Sequence, residues 1–296
     1  MHTIEFVKLS GSGNDFICVD NRDGRLDPLV NTPDRARALA RTVCARATGV
    51  GADGLIFAGD DDVGKFADVS ARFFEPDGSE AELCGNGTAC FARWAIESGW
   101  AGEEVRVLTV AGVVRGRRVD APYVRVCIPL PERPRYDFEL QSGAGAWRCD
   151  FAVTGVPHLV TYVPNVADVD MEASGRPLRH HPQMGPRGVN VNFVQVLAPG
   201  ELAVRTFEFG VEAETLSCGT GAATAAVMSL RRFGWGGDFA TGARPVIVHS
   251  RGGADLRVFV TLDAQGNVAD LCLDTSVEFV FRGTIHPDLL RRAGVE

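Results

Sequence analysis

The sequence predicts an α/β chain of the α+β kind made of two like domains, and three observations carry that expectation. The first is a stretch that occurs twice. Residues 84–94 read Cys-Gly-Asn-Gly-Thr-Ala-Cys-Phe-Ala-Arg-Trp, and residues 218–227 read Cys-Gly-Thr-Gly-Ala-Ala-Thr-Ala-Ala-Val. The second is the order around each copy: strands, an acidic turn with glycine, the Cys-Gly-x-Gly, then an apolar helix. Those helices end in Glu97-Ser-Gly-Trp100 and Arg232-Phe-Gly-Trp235. Self-similarity on this scale points to two domains facing one cleft. The third is the helix after Cys218, nearly all Ala, Thr, Val and Met. With no polar face it belongs inside a ring of strands.

Composition narrows the function classes. The 296 residues are 45% hydrophobic and 23% charged, as in a globular protein with a sizeable core. A net charge of −8 argues against a nucleic acid or an anionic membrane as partner. No signal peptide is evident at Met1-His-Thr-Ile-Glu-Phe6, and no apolar run approaches the roughly 18 residues that span a bilayer, so a cytoplasmic protein is expected. The eight cysteines are too few for a disulfide scaffold in a chain this long. Cys18, Cys44, Cys90, Cys127, Cys149 and Cys272 lie in apolar or strand-like runs and read as buried free thiols. Without a CxxC pair, and with scattered histidines, no metal site is expected.

Along the chain, residues 3–9 and 15–20 read as strands around Ser10-Gly-Ser-Gly-Asn14; Asn14 fits a turn residue or a ligand group equally well. Thr32-Pro33-Asp34 opens a helix with Ala36, Leu39, Ala40 and Val43 at helical spacing, ending at Thr48-Gly49. Gly49-Val-Gly51-Ala-Asp53-Gly54 matches a dinucleotide fingerprint in letters only. It follows a helix and precedes the strand Leu55–Phe57, the reverse of what a nucleotide needs, so it reads as a turn. Asp60–Asp62 reads as a solvated loop.

Strand 69–74, the turn Glu75–Gly78, and a hairpin of 105–110 with 113–119 frame the first helix, which runs from Cys84 to Gly99. The texture restarts between Ala121 and Pro134. Strands follow near 124–128, 148–153 and 159–163, then a helical or turn segment to His181. Strands 190–196 and 202–207 precede the second helix, which ends near Phe233-Gly234. Strands 246–249, 256–262 and 277–281 close the chain. The expected domains are 1–122 with 275–296, and 123–274.

A cysteine at a helix start is an unusual place for a structural thiol. A helix N-terminus presents unpaired N–H groups and partial positive charge, so it binds carboxylates and favours thiolate. Two such ends aimed at one α-amino acid would grip its carboxylate and place Cα between two thiols. One cysteine can then remove the α-proton and the other donate from the opposite face, with N–H donors stabilising the enediolate-like carbanion. Racemases of the pyridoxal type need a Schiff-base lysine, and Lys8 and Lys65 lie in no phosphate-binding context; no cofactor is expected. A thiol redox protein and a non-catalytic amino-acid binder are the rivals. The first gives no role to a carboxylate cradle, and the second has no need of both thiols.

These features resemble the diaminopimelate epimerase family over nearly the whole chain. The likeness rests on Gly13-Asn14-Asp15-Phe16, Gly49–Gly54, Asp77-Gly-Ser-Glu80, Cys84-Gly-Asn-Gly87, Pro157-His158, Asn190-Val-Asn192, Glu208, Glu214-Thr215 and Cys218-Gly-Thr-Gly221. The resemblance implies a cofactor-independent isomerase with two pseudo-symmetric domains, each a curved, mostly antiparallel sheet or barrel around a central helix. It implies Cys84 and Cys218 as the acid/base pair, and the amides of Gly85, Asn86, Gly219 and Thr220 as the carboxylate cradle. Asn14 and Asn190 match substrate-binding positions, and His158 and Glu208 match residues that tune the thiols or hold the amine. A small-molecule amino acid is the implied partner, with lysine and peptidoglycan biosynthesis as setting; a homodimer is left open.

The chain departs from the family pattern at three places. Phe74-Glu75 stands where Phe-Asn is usual, Glu208-Phe209-Gly210 where Glu-Arg-Gly is usual, and Gly155-Val-Pro-His158 where Gly-Asn-Pro-His is frequent. The replaced Asn and Arg hold the distal end of diaminopimelate in the family, and losing one partner of a buried ion pair costs about 3–5 kcal/mol. The resulting expectation is a basic or aromatic amino acid as substrate, with Glu75 meeting a cation and Phe209 packing on its stem or plane. Diaminopimelate itself, with compensation from Arg187 or Arg205, is the alternative.

Overall fold

The structure, a computed structural model, describes residues 4–60, 63–64, 66–143, 145–253 and 255–295. Asp61 and Asp62 of the expected acidic loop lie outside the described residues. The chain divides into two compact units, Met1–Val126 with Thr275–Glu296, and Cys127–Asp274.

The first unit contains β1 (Ile4–Gly11), β2 (Asn14–Asp20), β3 (Gly54–Gly59), β4 (Val69–Phe74), β5 (Glu80–Ala81), β6 (Glu104–Thr109), β7 (Gly112–Arg118) and β8 (Tyr123–Cys127). Its helices are α1 (Asp27–Val30), α2 (Pro33–Cys44) and α3 (Gly85–Glu97). The second unit contains β9 (Glu132–Ser142), β10 (Gly145–Thr154), β11 (Val156–Tyr162), β12 (Asn190–Ala198), β13 (Glu201–Glu208), β14 (Ala213–Thr215), β15 (Val246–Ser250) and β16 (Asp255–Leu262). Its helices are α4 (Arg176–Arg179) and α5 (Gly219–Arg232). The long β17 (Val268–Ile285) and α6 (Pro287–Arg292) end the chain.

The two units pair their strands in the same sequence. In the first, β1–β2 is antiparallel, β2–β3 parallel, β3–β4 antiparallel, β4–β6 parallel and β6–β7 antiparallel, with β5 returning on β4. In the second, β10–β11, β11–β12, β12–β13, β13–β15 and β15–β16 repeat those senses, with β14 returning on β13. The internal repeat is thus a repeat of topology. The sheets are mixed, because each unit carries two parallel pairs. The first part of β17 pairs with β16 and the last part with β1.

Each sheet wraps a helix. α3 packs on β1, β2, β3, β6 and β7, and α5 on β10 to β13, β15 and β16. Every residue of α5 from Gly219 to Leu230 is buried, as its lack of a polar face requires. Its hydroxyls are satisfied inside: Thr224 Oγ1 lies 2.8 Å from both Thr154 Oγ1 and the Thr220 carbonyl, and Ser229 Oγ 3.1 Å from the Tyr162 hydroxyl. In the first unit, Leu39, Ala40 and Val43 of α2 join Ile17, Leu55 and Phe57 in a second core layer. Strand β3 is therefore buried at every position and shows no alternation, as expected for a strand covered on both faces.

Several elements differ from the sequence reading. α2 stops at Cys44 rather than Thr48, because residues 46–50 turn back toward β3. β9 went unread because its outward charges and Pro134 give no periodic signal. β17 begins nine residues earlier than expected, as Leu271 to Thr275 is a fully buried run containing Asp274. Cys127 and Cys272 are not free thiols: they form a disulfide with Cα atoms 3.9 Å apart. Cys18, Cys44, Cys90 and Cys149 are buried and free, and burial pushes the Cys44 and Cys149 thiols up to about 12. Among the described residues no helix is long and apolar enough to cross a membrane.

Candidate active site

Both motif cysteines are helix N-caps. Cys84 caps α3 with extended backbone (φ −128°, ψ 114°), and Cys218 caps α5 in almost the same conformation (φ −125°, ψ 107°). An N-cap residue borders the helix's unpaired N–H groups, where partial positive charge favours an anion. The second glycine of each motif is fixed by packing rather than by approach to a ligand. A Cβ at Gly87 would come 3.2 Å from ring carbons of Phe16 and Phe73, and one at Gly221 would come 2.3 Å from Asn192 Oδ1.

At the first helix end, Cys84 is half-buried and its Sγ accepts from the Gly87 N–H at 3.4 Å. Asn86, 3% exposed, donates from Nδ2 to Asn14 Oδ1 at 2.8 Å, and Asn14 donates from Nδ2 to Asp53 Oδ2 at 3.2 Å. The sequence-predicted Asn14, Gly85 and Asn86 are therefore brought to Cys84. Glu75 lies half-buried in the turn after β4, its N–H on the Ser79 carbonyl and its carbonyl on the Gly78 N–H.

At the second helix end, Cys218 is buried and a chain of side chains leads away from it. Thr220 Oγ1 is 3.7 Å from its Sγ and 2.9 Å from His158 Nε2, while His158 Nδ1 is 3.3 Å from Asn192 Nδ2. Asn192 also donates to the Leu159 carbonyl and accepts from Thr206 Oγ1. His158 is fully buried, and that burial pulls its pKa down to about 3, so the ring is neutral. Its Nδ1 accepts from Asn192, which leaves Nε2–H to donate to Thr220 and the threonine hydrogen free to donate to sulfur. His158 thus reaches Cys218 through Thr220. Glu208, at the end of β13, is raised above the usual carboxylate range by burial, with nearby Thr215 and Cys218 holding part of the rise back. A carboxyl so placed exchanges a proton more readily at neutral pH than an exposed one.

Asn190 faces the departure from the family pattern. Its Oδ1 accepts from the Phe209 N–H at 2.7 Å. The Phe209 ring has two guanidiniums over it, Arg179 at 4.7 Å and Arg187 at 5.0 Å from its centroid. Arg179 is buried and paired with Glu212 at 2.8 Å, whereas Arg187 is exposed. Arg205, the other arginine considered for compensation, is committed elsewhere: it pairs with Glu214 and donates to the Val166 and Val169 carbonyls. Sequence reasoning missed Arg179, one of several basic residues in Arg176-Pro-Leu-Arg179-His-His181 with nothing to single it out, and Asp53, hidden in the false fingerprint.

Residues 6–121 and 151–266 match the diaminopimelate epimerase family model. A diaminopimelate epimerase of Aquifex aeolicus is 38% identical over 289 residues, 97% of this chain and 99% of the relative. The chain belongs to the diaminopimelate epimerase family. It is an isomerase of the epimerase class. A second diaminopimelate epimerase, from Methanothrix thermoacetophila, is 42% identical over 80% of this chain and 85% of its own. Solved structures carry the same fold at low identity. A phenazine biosynthesis protein of the PhzF family from Bacillus anthracis superposes with TM-score 0.73 at 15% identity, covering 97% of this chain and 100% of that one. A probable proline racemase from Agrobacterium radiobacter gives 0.71 at 18%, covering 96% and 93%.

Proposed function

We propose that this epimerase acts on diaminopimelate, interconverting the LL and meso forms with Cys84 and Cys218 as the two acid/base groups. The similarity to proteins named diaminopimelate epimerase, near 40% identity and over almost the full length in one case, carries the substrate. This favours the alternative over the basic or aromatic amino acid that Glu75 and Phe209 suggested. The surroundings of Phe209 support the revision. A pocket selecting a cationic side chain gains nothing from guanidiniums at 4.7 and 5.0 Å from that ring, whereas a distal carboxylate does. Arg187, exposed beside that ring where Arg179 is buried, is the group placed to meet it.

In the proposed reaction the α-carboxylate sits on the N–H groups that begin α3 and α5. One cysteine, as thiolate, takes the α-proton, and the electron pair moves into the carboxylate as an enediolate. The other cysteine, as thiol, returns a proton to Cα from the opposite face. The turnover leaves the two thiols with exchanged protonation, and solvent restores them. Glu208 and the His158–Thr220 pair hold Cys218 ready for either state.

The test is a substrate panel in deuterated water. Diaminopimelate should acquire deuterium at Cα and invert, while lysine, ornithine, arginine and histidine should not. Exchange on a basic amino acid with none on diaminopimelate would overturn the substrate assignment. An Arg187→Ala variant should raise KM for diaminopimelate by about tenfold or more.

A further inference from the structure

The segment Gly49–Gly54 imitates a nucleotide fingerprint, and the structure gives it another use. Asp53 Oδ2 accepts both from Asn14 Nδ2 at 3.2 Å and from the Asp15 N–H at 3.1 Å, while the Asp53 N–H donates to the Asp15 carbonyl at 2.8 Å. Behind these contacts stands a charge cluster. Lys8, 4% exposed, pairs with Asp15 at 2.8 Å and donates to the Gly51 carbonyl, and Arg46 bridges Asp15 at 3.0 Å and Asp53 at 2.6 Å.

A carboxylate only accepts, whereas a carboxamide donates on one side and accepts on the other. Asp53 therefore requires that Asn14 turn its Nδ2 inward, which directs Asn14 Oδ1 toward Asn86. That oxygen in turn requires the Nδ2 of Asn86, which it receives at 2.8 Å. Asn86 Oδ1 is then left buried with no hydrogen-bond partner among the described residues, two residues past Cys84. One acidic group thus sets the orientation of two successive amides that end at the first turn of α3.

We propose that Asp53 is a positioning residue whose carboxylate orients Asn14 and, through it, Asn86 beside the Cys84 thiol. This rests on reading that helix end as part of the substrate cradle. Lys8, Asp15 and Arg46 hold Asp53 in place, which gives the false fingerprint its role: it supports the half-site instead of binding a nucleotide.

A double-mutant cycle with Asp53→Ala and Asn14→Ala tests it, read as kcat/KM for diaminopimelate. If Asp53 acts through Asn14, each single variant loses about tenfold to a hundredfold, and the double loses no more than the worse single. Asp53→Asn, whose carbonyl oxygen can still accept from Asn14, should recover most of the loss. Losses that multiply in the double variant, or Asp53→Ala at wild-type kcat/KM, would overturn the proposal. A second reading needs no substrate. In spectra of protein labelled with 15N-asparagine, the Asn86 side-chain NH2 resonances should shift in Asp53→Ala although residue 53 does not touch it. Unchanged Asn86 resonances in a folded Asp53→Ala protein would also overturn it. A wild-type enzyme inactive on diaminopimelate would strike the substrate assignment alone, because the resonance experiment stands apart from it.

Discussion

The two helix ends share a sequence pattern and an N-cap geometry but are supported by different chemistry. Around Cys84 the sulfur takes a backbone N–H from its own helix, and the neighbouring amides are oriented by a charged cluster of Lys8, Asp15, Arg46 and Asp53. Around Cys218 a buried, uncharged chain of side chains runs through Thr220, His158, Asn192 and Thr206, and the Glu208 carboxyl stands beside the thiol. A repeated strand topology has thus kept the position of the thiol while the groups that serve it diverged.

The largest expected effect is shared by both ends. Cys84→Ser and Cys218→Ser should each lower epimerisation by about 10²–10⁴-fold, the usual contribution of a positioned acid or base, with circular dichroism unchanged. Wild-type turnover in either variant would break the pairing. Removing the buried carboxyl beside the second thiol, by Glu208→Gln, should cost activity on the order of tenfold to a hundredfold.

Glu208 also carries a pH signature. Its folded pKa lies above the unfolded one, so its contribution is fully present below the ordinary value and is lost as pH rises through the folded pKa. Thermal unfolding at pH 4 and pH 7 should show Glu208→Gln gaining on the wild type as pH rises. A constant difference would show that Glu208 is not held as a buried acid.

Smaller effects separate the relay from the thiol. Thr220→Val removes the hydroxyl between His158 and Cys218 and should lower kcat by about tenfold, because a single hydrogen bond is lost at a residue that still packs. His158 titrates in the opposite sense to Glu208. Its folded pKa of about 3 lies below the ordinary 6.5, so stability is full above 6.5 and is lost as pH falls toward 3. His158→Gln should flatten the melting temperature over that range, and an unchanged slope would count against a neutral buried ring.

Much of the fold was legible because helix and strand leave periodic traces. The apolar run after Cys218 gave its burial, and the two matching motifs gave the repeat. The parallel pairs were not, since no residue marks whether β2 meets β3 in the same or the opposite sense. The thiols and Asn14 could be found because their residue types carry the chemistry. Asp53 and Arg179 could not, because each acts by what it touches across 30 or more positions of chain: Asp53 on Asn14, and Arg179 on Glu212. The inference from Glu75 and Phe209 to a cationic substrate is the less supported one for the same reason. It took each departure as an isolated charge change, while the structure sets two arginines over the phenylalanine.

The central claim, one thiol on each face, is tested most directly by isotope entry during the first few per cent of reaction. LL-diaminopimelate is incubated with enzyme in deuterated water, and the α-deuterium in the remaining substrate and in the meso product is measured separately. Two monoprotic bases predict deuterium in the product while the unconverted substrate keeps its α-hydrogen. Deuterium entering substrate and product at equal rates would mean that a single base serves both faces, and would contradict the account.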